Sequence, residues 1–410
     1  MNLSSILFVD DSENVLWGLR RRLRSACPEW DATFVSSGAE ALSVCDEHTF
    51  DVIVTDMKMP GMDGGELLKQ VQNKFPDTAR IILSGFSEDE TILRTLGRAH
   101  RYLAKPCDDE ILINSIRQML DIRSLLPEPH IRSIIGNIEG LASPPDTYLR
   151  LVTALEDPNV DSDTVSAIVS ADIALTAEIL KLTNSAYFSV PTKITSINHA
   201  IRMIGTETLK SITLFMGLFK GFEGPSIVSS RMSTLCRRSQ QIGVAASLIA
   251  EHEKLDKEAC RLLPATGMLS HVGSLILNLN YYEKMEQAFE LMERKNISII
   301  EAEKELFGAS HPEIGAYLLG LWGFADPVIQ AVAHHHCPAN LAGDEMTGLS
   351  ALYVAQHLTR ELSMPAVEET TIDLSYIKRI GKKEKLPEWC KIVGLVLESY
   401  NESGRKKGKS

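Results

Sequence analysis

Through its first 120 or so residues the chain alternates short apolar runs with segments of helical periodicity, a pattern that few folds accept. Ile6–Val9, Ala32–Val35, Val52–Val54, Arg80–Leu83 and Arg101–Ala104 read as strands, the third being the β-branched run that a fully buried parallel strand needs. Between them, Glu13–Ala26 sets Val15, Leu16, Leu19 and Leu23 on one helical face. Ala39–Glu47, Glu66–Lys74, Glu88–Leu96 and Asp108–Leu120 also read as helices. Five βα units in succession predict a (βα)5 doubly wound parallel sheet, flavodoxin-like in layout, with helices on both faces.

In such a sheet ligands bind outside the carboxyl ends of the strands, where the loops diverge. Strand one ends in Asp10-Asp11, strand three in Asp56, strand four in Ser84 and strand five in Lys105-Pro106. Taken alone, Asp56 in the stretch DVIVTDMKMPGMDG is an ordinary turn or capping aspartate; the convergence is what carries meaning. Three carboxylates packed together raise one another's pKa unless a cation sits among them. Magnesium, a hard ion with oxygen ligands that keeps several waters, answers that need and leaves room for an incoming phosphate. Lys105 would then neutralise one phosphoryl oxygen, and Ser84 would donate a hydrogen bond to another.

These residues carry a family likeness. FVDD at Phe8–Asp11, TDMKMPGMDG around Asp56, LSG at Leu83–Gly85 and YLAKP at Tyr102–Pro106 resemble the receiver domain of two-component response regulators over residues 1–122. The resemblance implies that Asp56 takes a phosphoryl group from a sensor histidine kinase or a phosphotransfer protein. It implies that Asp10, Asp11 and Asp56 hold magnesium, that Ser84 and Lys105 contact the phosphate, and that Tyr102 is the switch aromatic. Receivers of this kind also form homodimers.

After Leu120 the character changes. Pro127, Glu128 and Pro129 break the helical pattern and mark a linker at 123–130. From 131 to 400 the pattern is all-α, with Tyr148–Glu156, Asp163–Ser170, Ala174–Asn184, Ile197–Ile204, Glu207–Lys220, Thr234–Glu253, Lys257–Leu277, Tyr281–Arg294, Ile299–Phe307, Pro312–Trp322 and Pro327–His335 as helices. Gly273, Gly315, Gly320 and Gly323 point to close helix contacts or helix ends. Residues 401–410 are expected to form a disordered basic tail. Four blocks, SPPDTYLRLVTALEDP (Ser143–Pro158), SADIALTAEILKLTNSAYF (Ser170–Phe188), ITSINHAIRMIG (Ile194–Gly205) and FGASHPEIGAYLLGLWG (Phe307–Gly323), resemble the HDOD domain, a degenerate helical relative of HD-type metal phosphohydrolases.

That likeness raises the question of hydrolysis. HD-type enzymes bind catalytic metals through a His-Asp pair and further histidines. GMLSHVG, Gly267–Gly273, reads Ser270-His271 where such a pair would stand, which removes the metal-bridging carboxylate. His252, His271, His311 and the run His334–His336 remain, and adjacent helical residues point about 100° apart, so one or two of that run can face a common cavity. The expectation is a non-catalytic output domain with no transition metal. Asn184, Ser185, His271, His311 and His335 are its signature residues, their role open, and a regulatory protein is its downstream partner. The alternative is a cyclic-dinucleotide phosphodiesterase, or another HD-type hydrolase, controlled by phosphorylation.

Composition narrows the setting. A net charge of -12 weighs against a nucleic-acid surface, for which clustered cations are needed; the basic stretches Lys378–Lys385 and Arg405–Lys409 read as solvated ends. Cys27, Cys45, Cys107, Cys236, Cys260, Cys337 and Cys390 are odd in number and form no C-x-x-C pair, as expected of reduced thiols. No apolar run is expected to cross a bilayer, and the acidic N-terminus is unlike a signal peptide, so the expected location is cytoplasmic.

Overall fold

The computed structural model describes residues 4–85, 98–123, 126, 128–138, 141–143, 145–157, 159–184, 193–206, 209, 220–341, 343–363 and 372–407. Five parallel strands, β1 (Ser4–Val9), β2 (Trp30–Val35), β3 (Val52–Asp56), β4 (Ala79–Gly85) and β5 (Arg101–Lys105), lie in the order β2-β1-β3-β4-β5. Ile6, Leu7, Phe8, Val52, Ile53 and Val54 are buried from both faces, as central strands of a doubly wound sheet require. The strand order reverses beside β1, so the crevice of this sheet opens between the ends of β1 and β3. Helices Glu13–Ala26, Gly38–Glu47, Gly64–Lys74 and Asp109–Arg123 cover the sheet. The helix expected at Glu88–Leu96 lies outside the described residues.

The loop after β3 is fixed by two devices. Asp63 caps helix Gly64–Lys74, its Oδ1 accepting from Glu66 N–H at 2.7 Å. Gly64 packs so tightly on the strand end that a Cβ there would stand 2.1 Å from the Asp56 carbonyl oxygen, so only glycine lets the helix start at this point.

From Pro129 onward the described chain is helical apart from a two-residue parallel bridge between Ala142–Ser143 and Lys220–Gly221. Most of the expected helix Glu207–Lys220 falls outside the described residues. Two expectations are corrected. The helix expected over Lys257–Leu277 is two, Lys257–Leu269 and Val272–Asn280: Ser270 Oγ turns back to donate to Gly267 O at 2.8 Å, and His271 becomes the N-terminal cap residue of the second. By length and composition the stretch Lys257–Asn280 is apolar enough to cross a bilayer, which a search for unbroken apolar runs misses; 78% of its apolar window is buried inside the protein. The tail expected from residue 401 is, as far as Lys407, a continuation of helix Leu386–Lys407. Residues 401–407 have no proline, and their one glycine, Gly404, costs about 1 kcal/mol, too little to end a helix already formed.

The sheet domain and the helices share a core. One apolar cluster runs from Ile6 and Phe8 through Ile122, Leu126 and Ile131 to Tyr317, Leu321 and Trp322. A second gathers Ile242, Ala246 and Ile249 with Tyr353, Trp389 and Val393 of the last helices. Among the described residues of the expected linker, Leu126 is buried in this cluster, and Arg123 and Arg132 on either side both hold Asp77, at 3.1 and 2.7 Å.

Asp172 caps helix Ile173–Thr183, Oδ1 accepting from Leu175 N–H at 3.0 Å, while Oδ2 has no hydrogen-bond partner among the described residues. Burial pushes its carboxyl up to about 7. A carboxyl whose pKa is higher folded than unfolded adds stability below its unfolded pKa, and that stability drains away as pH rises between about 4 and 7. Asp172→Asn should therefore flatten the fall in stability between pH 5 and pH 8, read by urea denaturation beside the parent. The buried histidines tilt both curves the opposite way, so the difference between them is the readout. Parallel curves would contradict the prediction.

Candidate functional site

Asp10, Asp11 and Asp56 come together at the carboxyl edge, one oxygen from each lying within 4.8 Å of the others. Lys105 reaches across from the end of β5. Its ammonium donates to Asp10 Oδ2 at 2.9 Å and to Asp56 Oδ1 at 2.7 Å. Asp56 Oδ1 also accepts from Met57 N–H at 2.9 Å, and Asp10 Oδ1 accepts from Ser12 N–H at 2.9 Å. Asp10 is buried and Asp11 exposed, so the group spans the crevice from its floor to its mouth.

The electrostatics follow from that placement. Burial lifts the Asp56 carboxyl above the usual aspartate range, with the Lys105 ammonium pulling it back. Burial also works to lower the Lys105 ammonium, but the paired Asp56 and Asp10 outweigh it and hold the pKa above its usual value. Ser84, buried near the end of β4, pairs in register with Ala104 of β5, while its neighbour Leu83 pairs with Asp56. Tyr102 is buried on β5 and lines the cleft between the sheet and the helices together with Lys181, Asn184 and Trp322. The donor set suits a small oxygen-seeking cation: three carboxylates with one ammonium leave net negative charge in a crevice open to solvent.

In the helical domain, His271, His311 and His335 also meet. His336 joins them, so two of the three consecutive histidines face one point. Burial, then the neighbouring rings, holds His271 well below the ordinary imidazole value, and burial takes His335 to about 3. His252 stands elsewhere, bonded to Glu388 at 2.7 Å. Asn184 is a clamp: its amide donates to Leu180 O and Ile194 O and accepts from Ile194 N–H, each at 2.7 Å, tying a helix end to the next segment. Ser185 lies outside the described residues.

Sequence reasoning missed two residues. Glu303, 1% exposed, carries His311 on its carboxylate; its only signal is an acid on the buried stripe of helix Ile299–Phe307. Arg101, 7% exposed, opens β5 and reaches into the helical domain. Its guanidinium donates to Leu321 O at 3.2 Å, to Ser115 O at 3.1 Å and to Gly320 O. An arginine at the start of a strand gives no hint of that.

A parallel sheet in this order, with three carboxylates and a lysine at its switch point, defines a receiver-type domain, here joined to a helical one. Residues 6–117 match the response regulator receiver domain and residues 141–338 match the HDOD domain. The chain belongs to the response regulators, with a receiver domain fused to an HDOD domain. It is 24% identical over 206 residues to an uncharacterized protein of Treponema pallidum, covering 50% of this chain and 39% of that one. It is 33% identical over 129 residues to the hydrogenase transcriptional regulatory protein HoxA of Cupriavidus necator, covering 31% and 26%. The chain thus spans well under two thirds of the length of these relatives. The MmoQ response regulator of Methylococcus capsulatus aligns with a TM-score of 0.46 at 20% identity, over 61% of this chain and 98% of that one.

Proposed function

We propose that Asp56 accepts a phosphoryl group from a histidine kinase or phosphotransfer protein and that the HDOD domain passes the change to a regulatory partner. The observation that carries this reading is the pair of bonds from Lys105 to Asp10 and Asp56 across the carboxyl edge of the sheet. Both protein contacts of Asp56 fall on Oδ1, so Oδ2 is the nucleophile. Oδ2 attacks phosphorus, a P–O bond forms, the P–N bond to the donor imidazole breaks, and that imidazole leaves with the electron pair and takes up a proton. Lys105 then exchanges a carboxylate oxygen for a phosphoryl oxygen and holds the new charge. Magnesium, held by Asp10, Asp11 and Asp56, supplies charge neutralisation of the phosphoryl oxygens when bound.

Tyr102 and Arg101 are consecutive on the strand that ends in Lys105, which supports β5 as the route from the phosphate to the helices. Phosphorylation would shift a pre-existing equilibrium of that strand and of the cleft it lines. The protein treated with a small acyl phosphate should gain one phosphoryl group by intact mass, only with magnesium present, and chelation should prevent it. Labelling that ignores magnesium, or no labelling, would sink the assignment.

A further inference from the structure

Three histidines of the helical domain, His271, His311 and His335, have a feature that packing does not explain: their tautomers are set so that lone pairs converge. His335 Nδ1 lies 2.7 Å from Val332 O, a group that only accepts, so Nδ1 carries the hydrogen. Its Nε2 is then a bare lone pair, fully buried, with no hydrogen-bond partner among the described residues. His311 Nδ1 lies 2.8 Å from the Glu303 carboxylate, which leaves its Nε2 bare as well. His271 Nδ1 faces Ser270 Oγ at 2.9 Å and Ser239 Oγ at 3.2 Å. Both hydroxyls have already spent their hydrogens, on Gly267 O and Leu235 O, so each can only accept from this ring. Its Nε2 too is left as an acceptor.

His336 closes the group, its Nε2 3.2 Å from His311 Nε2. The Gln356 amide nitrogen stands 2.9 Å from His336 Nε2 and 3.2 Å from its Nδ1. Among the described residues this ring, unlike the other three, has no acceptor that fixes its tautomer, and it would exchange the amide for a metal. The ring centres of His271, His311 and His335 stand 5.4 to 5.7 Å apart, and His311 and His336 stand 5.0 Å apart. Four imidazoles around a metal at about 2.0–2.1 Å per nitrogen would put nitrogens ~3.3 Å and ring centres ~5 Å apart. The approach is built in by Gly273, where a Cβ would sit 2.0 Å from His311 O, so that the two helices bearing His271 and His311 touch through backbone.

We infer that His271, His311, His335 and His336 bind one divalent transition-metal ion of the zinc type in the HDOD domain, independent of the carboxylate site. All-imidazole donors suit zinc, cobalt or nickel rather than magnesium or calcium. Outer partners that hold the Nδ1–H of His335, His311 and His271 are what metal-ligating histidines ordinarily have: here a carbonyl, a carboxylate and a hydroxyl pair. Arg238, which acts on His271 and His335, opposes a cation, and the Glu303 carboxylate offsets it.

The test uses untagged full-length protein, equilibrated with Zn2+ and then dialysed. One equivalent of zinc should remain by elemental analysis, and Co2+ in its place should give the intense visible bands of a four-coordinate ion. The double variant His311→Ala/His335→Ala should lose both signals, whereas Asp56→Asn keeps them. Glu303→Gln, which retains a hydrogen-bond acceptor for His311 but not the charge, should bind Co2+ about 10–100-fold more weakly. The cobalt spectrum of the parent protein needs no variant to fold. Less than a tenth of an equivalent of zinc, pale six-coordinate cobalt bands, or retention by the double variant would each overturn the site.

Discussion

Asp56→Asn should end phosphate incorporation altogether, because no other carboxylate of the cluster combines a free oxygen with the Lys105 clamp. Asp11 is exposed, and Asp10 is buried, with Oδ1 committed to Ser12 N–H and Oδ2 to Lys105. The loss should exceed the roughly 10²–10³-fold that follows removal of a single transition-state donor. Lys105→Ala, which removes such a donor but leaves the nucleophile, should fall within that smaller range. Asparagine keeps the oxygen that accepts from Met57 N–H, so the fold is spared and the comparison is chemical. Burial holds the Asp56 carboxyl above the ordinary range, so labelling of the parent should decline on acidification sooner than an exposed aspartate would. Radiolabel from a kinase or an acyl phosphate, measured over pH, checks all three statements. Equal labelling of Asp56→Asn would show that another residue is the acceptor.

Arg101→Met should uncouple the two domains. The guanidinium reaches the last carbonyls of helix His311–Leu321, where Gly320 O also accepts from Gly323 N–H at 3.0 Å and Leu321 O relies on the arginine among the described contacts, so it acts as a cap supplied by the other domain. Hydrogen bonds to a charged group contribute about 1.5–3 kcal/mol, and a buried carbonyl left unpaired costs about 1–3 kcal/mol more. Against this stands the desolvation of the arginine, whose pKa burial lowers to about 10. Methionine keeps the apolar stem, so the polar contribution is what the variant removes. A loss of about 2–4 kcal/mol is expected, with faster proteolysis between residues 123 and 129 and a larger radius of gyration. A variant as compact and protease-resistant as the parent would show that the shared core, with Ile122 set against Gly320, holds the domains without this contact.

The receiver half was legible because its signals are local. A buried parallel strand must be a short apolar run, and the residue after it must lie at the carboxyl edge, so Asp10, Asp56, Ser84 and Lys105 could be placed from strand ends alone. The helical half gave up its elements but not their meeting points. Ile197–Ile204 and Ile299–Phe307 stand where periodicity puts them. The break at Ser270-His271 was hidden because the apolar pattern runs through it, and a side-chain hydroxyl bonding its own helix ends the turn. Histidine in a sequence carries no sign of which others it will face. The four rings converge only because Gly273 lets two helices touch and because the chain leaves the helical path after His334.

By itself, then, the sequence determined a doubly wound sheet with three carboxylates and a lysine at its carboxyl edge, followed by a helical domain of HDOD type. Strand period and strand order leave those side chains no other edge to occupy. Tertiary structure alone decided three things: that the domains share one core, that Arg101 caps a helix it is far from in sequence, and that four imidazoles meet at one point. Each depends on distances between elements, which are set by the summed packing of many side chains and are written in no single stretch of the chain.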